Sequence, residues 1–228
     1  MKTSPLKIDL HVHTHYSEDA TTTLEELVDY AKKKGLDGVA ITDHNTLQGA
    51  LKLAKKSQLT VIPGLEVEAL GGHILALNVT TLIPPKLSIT ETNQKIHDAG
   101  GVAVIAHPGA VLKTGLRQKI TSESNLDAVE VINSGAFPFF LSTYLSYRFA
   151  ERVKLPQTAG SDAHHAAEIG TAFTLIDADP NLDDIAEAIR KGAVTPSGKS
   201  ITWAQRMKRE AFHITKIYRK RYSSKLSI

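Results

Sequence analysis

The stretch Lys7-Ile8-Asp9-Leu10-His11-Val12-His13-Thr14 decides how the rest of the chain is read. It is an apolar strand pattern that ends in two histidines one residue apart. Residues two apart share a face of a strand, so His11 and His13 offer their ring nitrogens to one side and can chelate one ion. On its own the pair is unspecific, because two histidines are more often a surface or core pair than ligands. A metal site needs further donors from elsewhere in the chain.

Such donors recur. Asp19 follows in Tyr16-Ser17-Glu18-Asp19, His44 in Thr42-Asp43-His44-Asn45, Glu66 in Pro63-Gly64-Leu65-Glu66 and His73 in Gly71-Gly72-His73. His107 lies in Ala106-His107-Pro108, and Asp162 and His164 in Ser161-Asp162-Ala163-His164. Nearly all stand at the C-terminal end of an apolar, β-branched run, and six of the ten histidines fall in these motifs, which outweighs the structural reading of any one of them.

The 228 residues suit one large domain, and single-domain α/β barrels fall in this size range. With 42% apolar and 22% charged residues the composition is that of an ordinary globular protein. The absence of cysteine excludes a disulfide framework and a thiolate zinc site, leaving His, Asp and Glu for borderline or hard divalent ions. No run approaches the roughly 18–20 apolar residues of a membrane span, and no apolar signal region opens the chain, so the expectation is a soluble cytoplasmic protein without a membrane partner. The net charge of +3 is uneven: residues 199–228 hold nine Lys or Arg against one acidic residue, whereas the rest is mildly acidic.

Strand and helix patterns alternate. Strands are expected at 7–13, 38–42, 60–63, 102–106, 128–132, 157–160 and 171–176, with a strand and return strand around Gly71-Gly72. Helices are expected at 24–34, 46–56, 89–99, 139–153 and 181–191. Alternation argues a parallel sheet, and roughly seven strands in one unit argue closure into a β/α barrel with the donors at its C-terminal face. We expect a single barrel over residues 1–196, followed over 197–228 by a basic amphipathic helix. In that helix Trp203, Met207, Ala211, Ile214 and Tyr218 would pack on the barrel, with Arg206, Arg209, Lys216 and Arg219 on other faces. The sharper reading of this tail is contact with single-stranded RNA or DNA, with Tyr218 or Tyr222 stacking on bases. The Gly-rich run 192–200 has the wrong spacing and context for a phosphate-binding loop and reads as a turn.

Nine candidate donors exceed what one ion uses and fit two or three divalent ions, with the Glu66 carboxylate as the natural bridge. Two close ions acidify water at neutral pH and hold phosphoryl oxygens, which suits in-line attack on phosphorus. Zinc, manganese and iron all suit such mixed N/O donors. Asp9 and Asp43, each preceding a metal histidine, read equally as carboxylates that orient imidazoles or as strand-end contacts. His15 and His165, adjacent to donors, are candidates for substrate contact.

The ordered series D-L-H-V-H-T, T-D-H-N, P-G-L-E-V, G-H-I, A-H-P and S-D-A-H resembles the polymerase and histidinol phosphatase (PHP) superfamily of metal-dependent phosphoesterases over residues 7 to about 195. The resemblance implies a distorted seven-stranded β/α barrel with a trinuclear site. His11, His13, Glu66 and Asp162 would hold the first ion; Glu66, His73 and His107 the second; Asp19, His44 and His164 the third. Metal-bound water held by His11, His13, Glu66, His73, His107 and Asp162 would be the nucleophile on a phosphomonoester or a nucleotide phosphodiester. The short 73–107 connection departs from relatives with a long insertion there and implies a more open pocket. Alternatives are an amidohydrolase cleaving a C–N bond and a non-catalytic, nucleic-acid-binding barrel.

Overall fold

In the computed structural model, which describes residues 4–57, 59–110 and 124–223, β1 (Leu6–Val12) is the strand from which the sheet extends both ways. To one side lie β2 (Gly38–Ile41), β3 (Thr60–Ala69), β4 (Gly72–Leu77), β5 (Val102–Ile105), β6 (Ala128–Asn133) and β7 (Gln157–Gly160), in that order. To the other lie β8 (Ala172–Ile176) and β9 (Val194–Gly198). The barrel closes where the chain leaves β7: the Asp162 N–H donates to the His11 carbonyl (2.8 Å) and the His13 N–H to the Ala163 carbonyl (2.9 Å). At the other end β8 stands between β1 and β7. There the Thr174 hydroxyl bonds both the N–H and the carbonyl of Ala159, at 2.9 Å each, so a side chain satisfies backbone groups that a ladder would otherwise pair.

The expected barrel of strand–helix units is present, with two corrections. The sheet is mixed: β1–β2–β3 and β5–β6–β7 are parallel and β3–β4 is the strand and return strand expected around Gly71-Gly72, but β4–β5, β1–β8 and β8–β9 are antiparallel as well. A two-residue turn at Leu70-Gly71, with Gly71 at φ 103°, joins β3 to β4 and permits only antiparallel pairing. Among the described residues the sheet has nine strands instead of seven, and 192–200, read as a turn, contains β9. Pro196 and Gly198 mask that strand in sequence; Pro is tolerated because β9 ends the sheet.

Helix α1 (Leu24–Lys33) begins at a capping box in which Thr23 Oγ1 accepts the Glu26 N–H and the Glu26 carboxylate accepts the Thr23 N–H. Leu24, Leu27 and Ala31 then bury against Val12, Val39 and Ile41, together with Ala50 and Leu53 of α2 (Gln48–Ala54). Ile89 and Ile96 of α3 (Ile89–Asp98) and Phe149 of α4 (Phe139–Val153) pack on β3–β6, and Ile185 and Ile189 of α5 (Leu182–Lys191) join the cluster around Ile8 and Leu10.

The last helix, α6 (Trp203–Ser223), lies against the barrel by a different face from the one expected. Trp203, Met207 and Ile214 are 70, 66 and 54% exposed. Polar anchors hold the helix instead: Gln205 donates to the Ala167 carbonyl, Arg206 to those of Gly135 and Ala136, and Arg209 is buried. The partners of Gln205 and Arg206 are backbone carbonyls of the 166–168 turn and of the loop after β6, which periodicity cannot reveal. The side chains of Tyr218 and Tyr222, assigned to base stacking in sequence, lie outside the described residues. No helix among the described residues is long and apolar enough to cross a membrane.

Gly160 allows β7 to reach β1, since a Cβ there would collide with the Cβ and N–H of His11 and crowd the Glu130 carboxylate. Gly160→Ala should therefore lower the unfolding free energy by about 1–3 kcal/mol in denaturant titration; unchanged stability would show that the closure tolerates separation.

Candidate metal centre

Strand ends deliver the donors to one place. His11 and His13, at the end of β1, bring their Nε2 atoms 3.1 Å apart, and Glu66 Oε2, from the middle of β3, lies 3.2 Å from each. Glu66 Oε1 meets His73 Nδ1 of β4 at 2.7 Å and His107 Nε2, just past β5, at 3.2 Å. On the other side His44 Nδ1 is 3.4 Å from Glu66 Oε2, and Asp19 Oδ2 joins His44 Nε2 (3.3 Å) to His164 Nε2 (3.1 Å). Asp162 Oδ1 stands 3.4–3.6 Å from His11, His13 and His164. All nine residues singled out in the sequence are thus brought together.

Eight of the nine donors fall into three groups, each within 4.8 Å: His11, His13 and Glu66; Glu66, His73 and His107; His13, Asp19, His44 and His164; Asp162, which the resemblance places with the first, stands beside them at 3.4–3.6 Å from His11, His13 and His164. Relative to the partition that the resemblance implies, His13 belongs to two groups and lies between them.

The donor set fits divalent ions on three counts. Donor atoms held at about 2.0–2.1 Å by a tetrahedral ion lie about 3.3–3.4 Å apart, close to the spacings found here. Three of the ring nitrogens that face away, those of His11, His13 and His164, are tied down. His11 Nδ1 meets Glu130 Oε1 at 2.9 Å and His164 Nδ1 meets the Asp162 carbonyl at 2.9 Å. Both partners can only accept, so in the neutral, ligating ring Nδ1 carries the proton and the lone pair is on Nε2. His13 reaches the same state through Ser17: the hydroxyl donates to Asp43 Oδ1 (3.0 Å) and its oxygen lies 3.2 Å from His13 Nδ1. Finally, Asp19 Oδ1 is buried without a hydrogen-bond partner.

Charge completes the picture. Burial alone would raise the pKa of Glu66, but His44, His11 and His73 outweigh it and hold the carboxyl well below its usual range. Burial is likewise outweighed at His44, which Glu66, Asp19 and Asp162 push up to about 9, and at His11, raised by Glu130, Glu66 and Asp162. His164 goes the other way. Burial, with His13 and Arg209 nearby, lowers it to about 4, so it remains neutral and able to ligate.

Several contributors escape the sequence reading. Glu130 holds His11 with one oxygen and accepts the His107 N–H (2.9 Å) and Asn133 Nδ2 (3.0 Å) with the other. An acidic residue inside Ala128-Val129-Glu130-Val131-Ile132 was the available signal. Glu168 accepts the His164 N–H (2.9 Å) and pairs with Arg209 (2.6 Å), which also donates to the Asp162 carbonyl (2.7 Å). Nothing local to either residue announces that pair. Asp43 orients His13 through Ser17, whereas Asp9 accepts backbone N–H groups from His11, Ser161 and Gly170 and a side-chain hydrogen bond from Ser161. His15 is exposed against Tyr16, and His165 bonds Thr21. Neither is among the residues lining the cavity above the donors.

That cavity, of about 550 Å³, has His44, Glu66, His73, His107, Asp19, Asp162 and His164 at its base. Its mouth is walled by Phe137 and by Trp203, Arg206, Met207, Arg209 and Glu210 of α6.

Comparison with known proteins agrees with this geometry. The family described as PHP domain matches residues 9–129, and the one described as PHP-associated matches 143–194. An uncharacterized protein of Methanocaldococcus jannaschii is 37% identical over 142 residues, covering 57% of this chain and 82% of its own length. A two-domain Bacteroides vulgatus protein containing a predicted PHP-like metal-dependent phosphoesterase superposes with a TM-score of 0.70 at 17% identity, covering 86% of this chain and 65% of that one. A lesion-specific endonuclease from Pyrococcus furiosus superposes with a TM-score of 0.61 at 19% identity, over 84% of this chain and 57% of the other.

Two outcomes are expected. Glu130→Gln should lower metal affinity about 10–100-fold in competition titration while the far-ultraviolet spectrum is kept, because it loosens His11 without removing a donor. In metal-free protein the raised pKa of His44 means that folding takes up a proton. That stabilisation is whole below about 6.5 and is lost as pH rises through about 9. Denaturant unfolding should show it, and metal affinity should rise over the same interval as the proton leaves; affinity falling with pH would contradict the assignment.

Proposed function

The chain belongs to the PHP family, and from that premise we propose that it is a metal-dependent phosphoesterase acting on a phosphomonoester or a nucleotide phosphodiester. One observation carries the reading: the buried Glu66 offers one oxygen to His11, His13 and His44 and the other to His73 and His107, at the base of a cavity open enough for a substrate. Its two oxygens thus serve different donor groups, as a bridging carboxylate does. Zinc, manganese or iron, two or three in number, suit the donors. Held there, such ions supply Lewis acidity, which makes water nucleophilic at neutral pH and offsets charge on phosphoryl oxygens.

The chain's own groups do the rest. Glu130, Ser17 and Asp43 keep His11 and His13 turned inward. Arg206, fixed by two carbonyls, adds positive charge to the wall opposite the donors, where a phosphoester's remaining charge would lie. In this reading residues 1–196 bind the ions and the helix within 197–228 shapes the substrate end. Structural neighbours carry both kinds of name, a predicted phosphoesterase and an endonuclease on one side and an amidohydrolase from Chromobacterium violaceum on the other, so the choice of phosphorus over carbon rests on the family match and on Glu66 as the bridging group.

Phosphate release from sugar phosphates, nucleotides and short oligonucleotides, measured with zinc, manganese or iron, should depend on added metal. Glu66→Ala or His11→Ala should reduce it by more than about a hundredfold, beyond the effect of a residue that only supports a ligand, with the fold retained. Hydrolysis of amides or lactones in place of phosphoesters, or full turnover in either variant, would overturn the proposal.

A further inference from the structure

The cavity is larger than a phosphoryl group requires and lies within the range of about 300–1,000 Å³ typical of small-molecule pockets. The substrate therefore brings more than phosphate into it. What faces that remainder is aromatic. Phe137, in the loop after β6, and Trp203, at the start of α6, meet edge to face with centroids 5.7 Å apart and planes at 70°. The Arg206 guanidinium lies 4.9 Å from the Phe137 ring centre, and its hydrogen bonds to the Gly135 and Ala136 carbonyls hold it there. All three line the cavity that reaches the metal donors.

The exposure of Trp203 is the informative detail. A tryptophan, usually largely buried, is 70% exposed although its edge contact with Phe137 limits its freedom. An indole held this way leaves an open face for a flat partner, and base–aromatic stacking suits it because every base has a π-face. Arginine beside the pair adds a second planar surface and a positive charge.

We infer that Phe137, Trp203 and Arg206 form a nucleobase subsite, so that this enzyme selects phosphoesters whose organic part carries a base over those of sugars or glycerol. The inference deepens the phosphoesterase reading of the same cavity and rests on it. The base can belong to a mononucleotide or to the terminal nucleotide of a single strand; both present the same flat ring next to phosphate.

The test uses the full-length protein and its single tryptophan, whose emission reports position 203 alone. Adenosine 5′-monophosphate and a short oligodeoxythymidylate are titrated with inner-filter correction, against glycerol phosphate as control. Saturable quenching by the nucleotide probes and not by glycerol phosphate is expected; quenching by one probe alone identifies the source of the base. Phe137→Ala should weaken that binding. Trp203→Ala, read by activity, should lower the preference in kcat/KM for adenosine monophosphate over glycerol phosphate by about tenfold or more, with Trp203→Phe recovering part of it. Unchanged emission and preference, with phosphoesters still hydrolysed, would overturn the subsite and leave the phosphoesterase reading standing. Quenching by nucleotides without hydrolysis of any phosphoester would keep the subsite and sink the hydrolase reading. An emission maximum that shifts with protein concentration and ignores nucleotide would assign the ring face to self-association and overturn the inference.

Discussion

A carboxylate only 1% exposed, with five imidazoles within 3.4 Å, is the constraint on which the rest of this structure turns. Burying a carboxylate costs several kcal/mol unless positive charge and hydrogen bonds replace its water. Around Glu66 the replacement comes entirely from His11, His13, His44, His73 and His107, which arrive on different strands or strand ends. The carboxylate therefore requires the closed barrel, and the barrel ends are arranged to meet it. Divalent ions would meet the same requirement through ring lone pairs such as the Nε2 of His11 and His13, which the hydrogen bonds on Nδ1 leave facing Glu66.

Those surrounding bonds join site and fold. The backbone that closes the barrel, Asp162 to His11 and His13 to Ala163, belongs to the residues that present the donors. His107 and Asp162 adopt left-handed backbone at φ 34° and 52°, a conformation costing of order 1–3 kcal/mol each for a residue with a side chain. Contacts from elsewhere hold them in place: Glu130 accepts the His107 N–H, and Arg209 donates to the Asp162 carbonyl. Loosening either contact would disturb ligand geometry and barrel closure together.

The C-terminal helix follows the same logic with charge in place of apolar packing. Arg209 is buried against Glu168, which in turn holds the backbone of His164, so α6 is tied to the loop carrying two of the donors. Its apolar residues are then free to line the cavity mouth. A basic helix that would read as a separate tail thus becomes part of the site's wall.

The nine donors were legible because histidines and carboxylates closing apolar runs are conspicuous, and because residues two apart on a strand must share a face. The strand–helix alternation was legible for the same local reason. Hidden from it were β9, disguised by Pro196 and Gly198 and tolerated only at a sheet edge, and the antiparallel pairings of β4 with β5 and of β8 with β1 and β9, which depend on how connections run in space. Glu130, Glu168 and Arg209 were hidden too, since a charge inside an apolar strand or a helix has meaning only once its partner is known. The sequence by itself determined which atoms could bind metal and the strand ends from which they come. The tertiary structure alone decided how they group around Glu66, which rings are tied by Nδ1 and what stands above them, because these depend on contacts between residues far apart in the chain, where local periodicity carries no information.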